Sequence, residues 1–294
     1  MTLKILFSNI NQGVIYTGKS PEGKKQLSKP DTVAHLNQLK QAVPVADIVC
    51  LAEALFESEN GESRMVEDFA KAYGLSYQTV KVNGTCWYDL GNLSNQFYGL
   101  ASLGKWPLEH QEYIFIEEPE FTKNHRDFSE ERVTHGSGKL FHDKYIQKAS
   151  FETSGVRYKL LNLHSVPFHK FGTDPYGESQ LAKVREWWKK FEQVLINAIG
   201  KPENCIITGD FNNSRLALDE VLPELLGEMG FKTFTLDESQ HINNMPARNL
   251  KSGEKPYTAQ TQMDFILVSP DLSFQETRSV ITPSDHPALY AEIT

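Results

Sequence analysis

Short apolar runs and stretches of helical period follow one another along the whole chain. The runs Leu3–Ser8, Asp47–Leu51, Phe97–Leu103, Tyr113–Ile116, Tyr145–Phe151, Tyr158–Leu163, Cys205–Thr208, Phe265–Val268 and Ala288–Ile293 predict strands. The clearest helix is Glu178–Ile199, where Leu181, Val184, Trp187, Trp188, Phe191, Val194, Leu195 and Ala198 recur at three- and four-residue steps before Gly200 and Pro202 stop the pattern. Trp187 and Trp188 lie on that apolar face, which assigns them to the core rather than to a base-stacking platform. Asp31–Val43 and Ser63–Tyr73 predict shorter amphipathic helices, and Leu218–Leu226 another. No linker or internal repeat interrupts this order, so residues 1–294 are expected to form a single α/β domain with helix-covered sheets. Gly13–Pro30, Asn83–Asn95, Glu117–Lys144 and Glu238–Lys255 lack either period and are expected to be long loops of the kind that carry function.

The polar residues fall in a pattern of their own. Leu3–Phe7 runs into Asn9, Ile48–Leu51 into Glu53, Leu160–Leu163 into His164, and Ile206–Ile207 into Asp210 and Asn212. Two runs show the reverse order: Asp264 precedes Phe265–Val268, and Asp285 and His286 precede Pro287–Ile293. Functional groups gather where backbone leaves a helix-covered sheet. If all these side chains share one rim, the first four strands run towards it and the last two away. The sheets must then be mixed.

Composition narrows the chemistry. With 39% hydrophobic and 23% charged residues in 294, the chain can build a sizeable core. A formal charge of −8 argues against a broad non-specific nucleic-acid footprint, but not against a small groove whose positive charge is a metal ion. Cys50, Cys86 and Cys205 have no CxxC spacing, which gives neither a disulfide framework nor a zinc site and fits a reducing compartment. No apolar run is long enough for a membrane span, and the apolar part of the N-terminus is too short for a signal peptide, so a cytoplasmic, soluble protein is expected.

Hard oxygen ligands without a cysteine cluster suit Mg²⁺ or Mn²⁺, which take one or two carboxylates and leave other positions to water and phosphate. Glu53 is the natural anchor. Asp264 and His286 suggest a carboxylate that fixes an imidazole, able to activate water or hold a phosphoryl oxygen. Asp210 can accept from an attacking water, Asn212 can donate to phosphate, and His164 offers a second donor for transition-state charge. This set suits in-line attack of water on a phosphoester.

The blocks "SNINQG", "DIVCLAE", "GLASLGKWPL", "LLNLHS", "ITGDFN", "MDFILV" and "SDHPAL", spanning Ser8 to Leu289, resemble in order the signature blocks of the endonuclease/exonuclease/phosphatase superfamily. The resemblance implies a four-layered α/β sandwich, two mixed β-sheets packed face to face with helices outside. It also implies divalent-metal-dependent hydrolysis of a phosphodiester or phosphomonoester. By motif, Glu53 is similar to the family's metal carboxylate with Asn9 beside it, and Asp285 to a further metal-side carboxylate. Asp210 and Asn212 resemble the water-orienting and phosphate-binding pair, and Asp264 the residue that orients His286. Either His286 or Asp210 is left as the general base.

"NLHSVP" is similar to the deoxyribonuclease-, sphingomyelinase-, deadenylase- and tyrosyl-DNA-phosphodiesterase-like branches rather than to the abasic-site branch, whose corresponding strand ends in an aromatic-Pro-Asn sequence. Asn11 stands where abasic-site enzymes have Asp, and the "WCDR"-type block of inositol-polyphosphate phosphatases is missing. The expected substrate is nucleic acid, which makes the protein a nuclease or phosphodiesterase. A phospholipid or small phosphoester is the enzymatic alternative, and a non-catalytic phosphate-binding module the alternative of another class. Arg126, Arg132, His135, Lys139, His142, Lys144 and Lys148 form the basic half of a long loop that is either a groove lining or a solvated surface. His169 and Lys170 are candidates for a distal phosphate or ordinary surface residues.

Overall fold

The computed structural model describes residues 2–19, 25–86, 96–116, 144–168, 178–212, 217–234 and 262–294. The strands are β1 (Leu3–Asn9), β2 (Val14–Lys19), β3 (Lys25–Pro30), β4 (Ile48–Phe56), β5 (Tyr77–Thr85), β6 (Phe97–Gly104), β7 (Glu109–Phe115), β8 (Tyr145–Thr153), β9 (Val156–His164), β10 (Cys205–Asp210), β11 (Lys232–Thr233), β12 (Asp264–Val268), β13 (Phe274–Val280) and β14 (Ala288–Ile293). The long helices are α1 (Thr32–Ala42), α2 (Arg64–Tyr73) and α3 (Glu178–Ile199).

One large sheet has the order β13-β14-β1-β4-β6-β5 and the other β11-β12-β10-β9-β8-β7. The pairs β1/β4 and β9/β10 are parallel, whereas β14 runs antiparallel to β1 and β12 to β10. These are the directions expected from the strand-end polar residues, and both sheets are mixed.

Period-two alternation explains the layers. Leu3, Ile5 and Phe7 of β1 point into the same cluster as Leu160 of β9, Ile206 of β10 and Ile266 of β12, which is the core between the sheets. Leu6, Val49 and Leu51 point the other way, against Leu39 of α1 and Phe69 of α2. On the far side Leu161, Leu163 and Ile207 pack on Val184, Trp188, Phe191 and Leu195 of α3. Trp188 is buried there, as the periodicity predicts. The four layers are therefore α1/α2, sheet, sheet and α3.

The inward-facing positions change character along their strands. On β9 they read Leu160, Asn162, His164; on β10, Ile206, Thr208, Asp210; on β12, Val268, Ile266, Asp264. An apolar end glues the sheets together and a polar end is delivered to one rim.

Several elements depart from the sequence reading. Gly13–Pro30, expected as a loop, contains the β2–β3 hairpin. Strands β5 and β13 sit at sheet edges and lack a continuous apolar run, since only one face of an edge strand need be apolar. The expected helix Leu218–Leu226 is one turn at Leu218–Val221 and a π-helical turn at Glu224–Glu228, separated around Pro223, whose missing N–H breaks the ladder. Most of the expected loop Glu117–Lys144, with Arg126, Arg132, His135, Lys139 and His142, lies outside the described residues, as do His169, Lys170 and Glu238–Lys255.

Gly209 shows why the β10 block needs its glycine. A Cβ there would stand 2.6 Å from the Leu163 carbonyl oxygen and 2.6 Å from the Leu163 side chain. The Gly209→Ala variant is expected to lose about 1–3 kcal/mol, towards the upper end because backbone cannot yield as a side chain can. Urea denaturation with an unchanged midpoint would contradict this.

Candidate active site

At the polar rim the two sheets are linked by side chains. Asn9, ending β1, donates through Nδ2 to Asp210 Oδ2 of the opposite sheet at 2.9 Å and more weakly to Glu53 Oε1 at 3.4 Å. Its Oδ1 accepts from the Asn11 amide at 3.0 Å, which fixes the orientation of the side chain. Glu53 Oε2 accepts from Gln12 Nε2 at 3.3 Å, so amides hold both ends of the carboxylate.

Glu53 reaches this place through an irregularity in β4. The register against β6 shifts between Leu51 and Ala54, and Glu53 adopts φ +52°. Asn162 crosses from the other sheet and donates to the carbonyls of Leu51 and Ala101, at 3.2 and 3.1 Å, where β4 and β6 are about to lose register. Asn11, Gln12 and Asn212 also have φ between +50° and +57°. Four of the seven non-glycine residues with such backbone among those described therefore lie at this rim, and for Glu53 and Gln12 it is costly, as at functional sites.

His164 lies at the centre of one group. Its Nε2 is 3.7 Å from Glu53 Oε1, 3.7 Å from Asp210 Oδ2 and 2.9 Å from the ammonium of Lys144. Tyr98 meets the imidazole edge-on at a centroid distance of 6.5 Å. The second group is built on His286, whose Nδ1 is 2.7 Å from Asp264 Oδ2. Thr282 donates to the His286 carbonyl at 2.6 Å, and the His286 amide donates to Ser284 Oγ at 3.2 Å, which pins the turn before β14.

Glu53, His164 and Asp210 each offer a ligand atom within 4.8 Å of the others, and so do Asp210, Asp264 and His286. Asp210 belongs to both groups. Asp285 belongs to neither but is close enough to raise the proton affinity of Glu53, Asp264 and His286. Asn212 lies beside Asp210: its amide N–H donates to Asp210 Oδ1 at 2.7 Å and its side chain donates to the Ser165 carbonyl at 2.8 Å.

Burial governs the electrostatics. It raises the Glu53 carboxyl above its ordinary value, against the opposing pull of Lys144 and His286. Burial, then Asp264, pushes Asp210 to about 6, and burial raises Asp264 as well despite its imidazole partner. Burial alone would discharge His286, but Asp264 and Asp285 outweigh it and lift the imidazole to about 10.

The donor set fits a hard divalent cation. Carboxylates whose ionised form is disfavoured by burial have too little positive charge around them, and Asp264 Oδ1 and Gln12 Oε1 are buried with no hydrogen bond among the described residues. Gln12, Lys144 and Asn162 were not singled out as site residues by strand-end reasoning. Lys144 was visible only as one charge in a mixed loop. The position of Asn162, two before His164 on the same strand face, was an available signal. For Gln12 the left-handed backbone that turns it inward leaves no mark in the sequence.

A hydrolytic α/β sandwich is what this fold and rim define, and comparison with known proteins identifies its family. The model of the Endonuclease/Exonuclease/phosphatase family matches residues 7–286, and the chain belongs to that family. It is a phosphoester-hydrolysing enzyme of a divalent-metal-dependent class. No curated protein matches the chain. Among solved structures, an endonuclease/exonuclease/phosphatase from Beutenbergia cavernae superposes with a TM-score of 0.65 at 12% identity, over 99% of this chain and 71% of that one. A mannosyl-6-phosphatase from Bacteroides thetaiotaomicron gives 0.53 at 15% identity over 99% of each chain. TDP2 of D. rerio, complexed with single-strand DNA product, gives 0.51 at 17% identity over 100% of this chain and 99% of that one. At these identities the likeness is one of fold.

Proposed function

We propose that the chain is a Mg²⁺- or Mn²⁺-dependent phosphodiesterase acting on nucleic acid, folded as one domain. The observation that carries this reading is the buried Asp264–His286 pair at 2.7 Å, facing the group of Glu53, His164 and Asp210. The buried free thiols suit the reducing cytoplasm. Among the described residues, no helix is long and apolar enough to cross a membrane.

Glu53, Asp210 and His164, with Asn9 beside them and Asp285 nearby, would hold the cation, which when bound supplies Lewis-acid stabilisation of charge on the phosphoryl oxygens. His286, cationic at neutral pH, donates to a non-bridging phosphoryl oxygen, with Asp264 holding the ring in place. Asp210, beside the cation, is placed to orient the attacking water. Both its oxygens are fixed, by Asn9 and Asn212. Lys144, its ammonium against His164, faces the same space with a further donor for the charge that develops on phosphate.

The deciding experiment is cleavage of end-labelled single- and double-stranded DNA with Mg²⁺ or Mn²⁺, against EDTA. Metal-dependent cutting is expected. A folded protein that leaves both DNAs intact but releases phosphate from a sugar phosphate would replace this reading with the small-phosphoester one.

Metal should stabilise the fold in a pH-dependent way. A carboxyl raised from 3.8 to about 6 by folding contributes stability below its unfolded value, and loses it as pH rises through about 6. A cation that replaces the lost protons offsets that loss, so the rise in Tm on adding Mg²⁺ is expected to be small at pH 5 and larger at pH 7.5. Differential scanning fluorimetry measures this, and an increment independent of pH would contradict it.

A further inference from the structure

Among the described residues, β5 and β7 are edge strands of the two sheets. The strongly exposed aromatic rings among the described residues, Tyr77, Tyr113 and Phe115, all lie on these two strands. Between the edges is a groove of about 360 Å³, lined by Lys81, Tyr113, Tyr145, Asn60 and Glu59 with the aliphatic edge of Val80 and Val82. The Lys81 ammonium stands 4.3 Å from the centroid of Tyr145 and 5.5 Å from that of Tyr113. Phe115 meets Tyr145 edge-to-face at 5.6 Å.

Sheet register connects this groove to the reaction centre. Ile146 of β8 is paired with Leu163 of β9, so Tyr145 extends to the position beside His164; Phe115 of β7 is in turn paired with Tyr145. His164, Tyr145 and Phe115 thus form a lateral row, one residue per strand, from the catalytic group to the edge strand β7. Adjacent strands lie about 5 Å apart, so each step of the row is about the width of one ring. Lys144, the residue before Tyr145, has its ammonium on His164.

We propose that this groove is a subsite for an unpaired nucleobase, that of a nucleotide flanking the scissile phosphodiester. The proposal rests on the phosphodiesterase reading and narrows its substrate to single-stranded or frayed nucleic acid. Aromatic faces next to an ammonium are the combination that holds single strands, the rings stacking on bases and the cation taking the backbone. Tyr113 supplies a ring within the groove, Phe115 an exposed ring beside it against Tyr145, Lys81 the charge for the neighbouring phosphate, and Asn60 and Glu59 polar groups for a base edge. A lipid chain would find few aliphatic walls here, and a paired base could not enter an opening between two sheet edges without leaving its stack.

The test uses a tetranucleotide with phosphorothioate linkages that carries 2-aminopurine at one position, and its counterpart with an abasic site there. With the wild-type protein in Mg²⁺, the 2-aminopurine fluorescence should be quenched, and the base-containing ligand should bind about 5- to 50-fold more tightly than the abasic one. Phe115→Ala and Tyr113→Ala, at exposed positions, should bring that ratio close to one while leaving abasic binding unchanged. Equal ratios in wild type and variants would overturn the subsite. Cleavage of the unmodified tetranucleotide is measured in parallel. Base discrimination without cleavage would keep the subsite and remove the phosphodiesterase reading; cleavage without base discrimination would do the reverse.

Discussion

His286→Ala is expected to lower kcat by about 10²-fold or more with little change in the affinity for Mg²⁺. The imidazole is buried and 2.7 Å from Asp264, which, with Asp285, raises its proton affinity and favours the cation. A cation held ready in a low-dielectric site contributes most where charge develops in the transition state. Removing it takes away that contribution while the side chains of Glu53, His164 and Asp210 stay in place. Steady-state kinetics on a phosphodiester, combined with calorimetric titration of Mg²⁺, separates the two effects. Turnover near wild type would refute the role given to His286, and a parallel loss of metal affinity would place it among the ligands instead.

Glu53→Gln is expected to weaken metal binding by more than about 10²-fold, exceeding the usual cost of losing a group that only supports a ligand. The carboxylate lies between Asn9 and Gln12, in a strained backbone position that the β4 irregularity creates. The amide is isosteric, so the fold should persist: burial already disfavours the charge of Glu53 in the metal-free protein. Without metal, the variant is therefore expected to be at least as heat-stable as the wild type and to lose the Mg²⁺-dependent rise in Tm. An unchanged Mg²⁺ titration would remove Glu53 from the metal site.

Much of the architecture could be read along the chain because burial imposes a short period. The α3 face declared itself through Val184, Trp188, Phe191 and Leu195, which all pack on the outer side of one sheet. The central strands were visible because both faces are covered, so each carries a continuous apolar run away from the rim. Edge strands β5 and β13 escaped because solvent takes one side of each, and the β2–β3 hairpin because its pattern is short and mixed. The same contrast holds for the site. Asn9, His164, Asp210, Asp264 and His286 were legible as polar interruptions at strand ends, and the structure brings them to one rim.

Sequence by itself determined which side chains would end the strands, and that the sheets are mixed if those ends share one rim, because an apolar run that stops at a carboxylate marks where a strand leaves the core. Tertiary structure alone decided how those ends meet. Asn9 bonds to Asp210 across 201 positions of sequence, a contact that requires the sheets to face each other in one register. The irregularity at Glu53, the reach of Asn162 across to it, the inward turn of Gln12, and the place of Lys144 against His164 belong to the same level. Local periodicity records whether a residue is buried. It carries no record of which buried groups become neighbours, and here the proton affinities and the space for a cation depend on those neighbours.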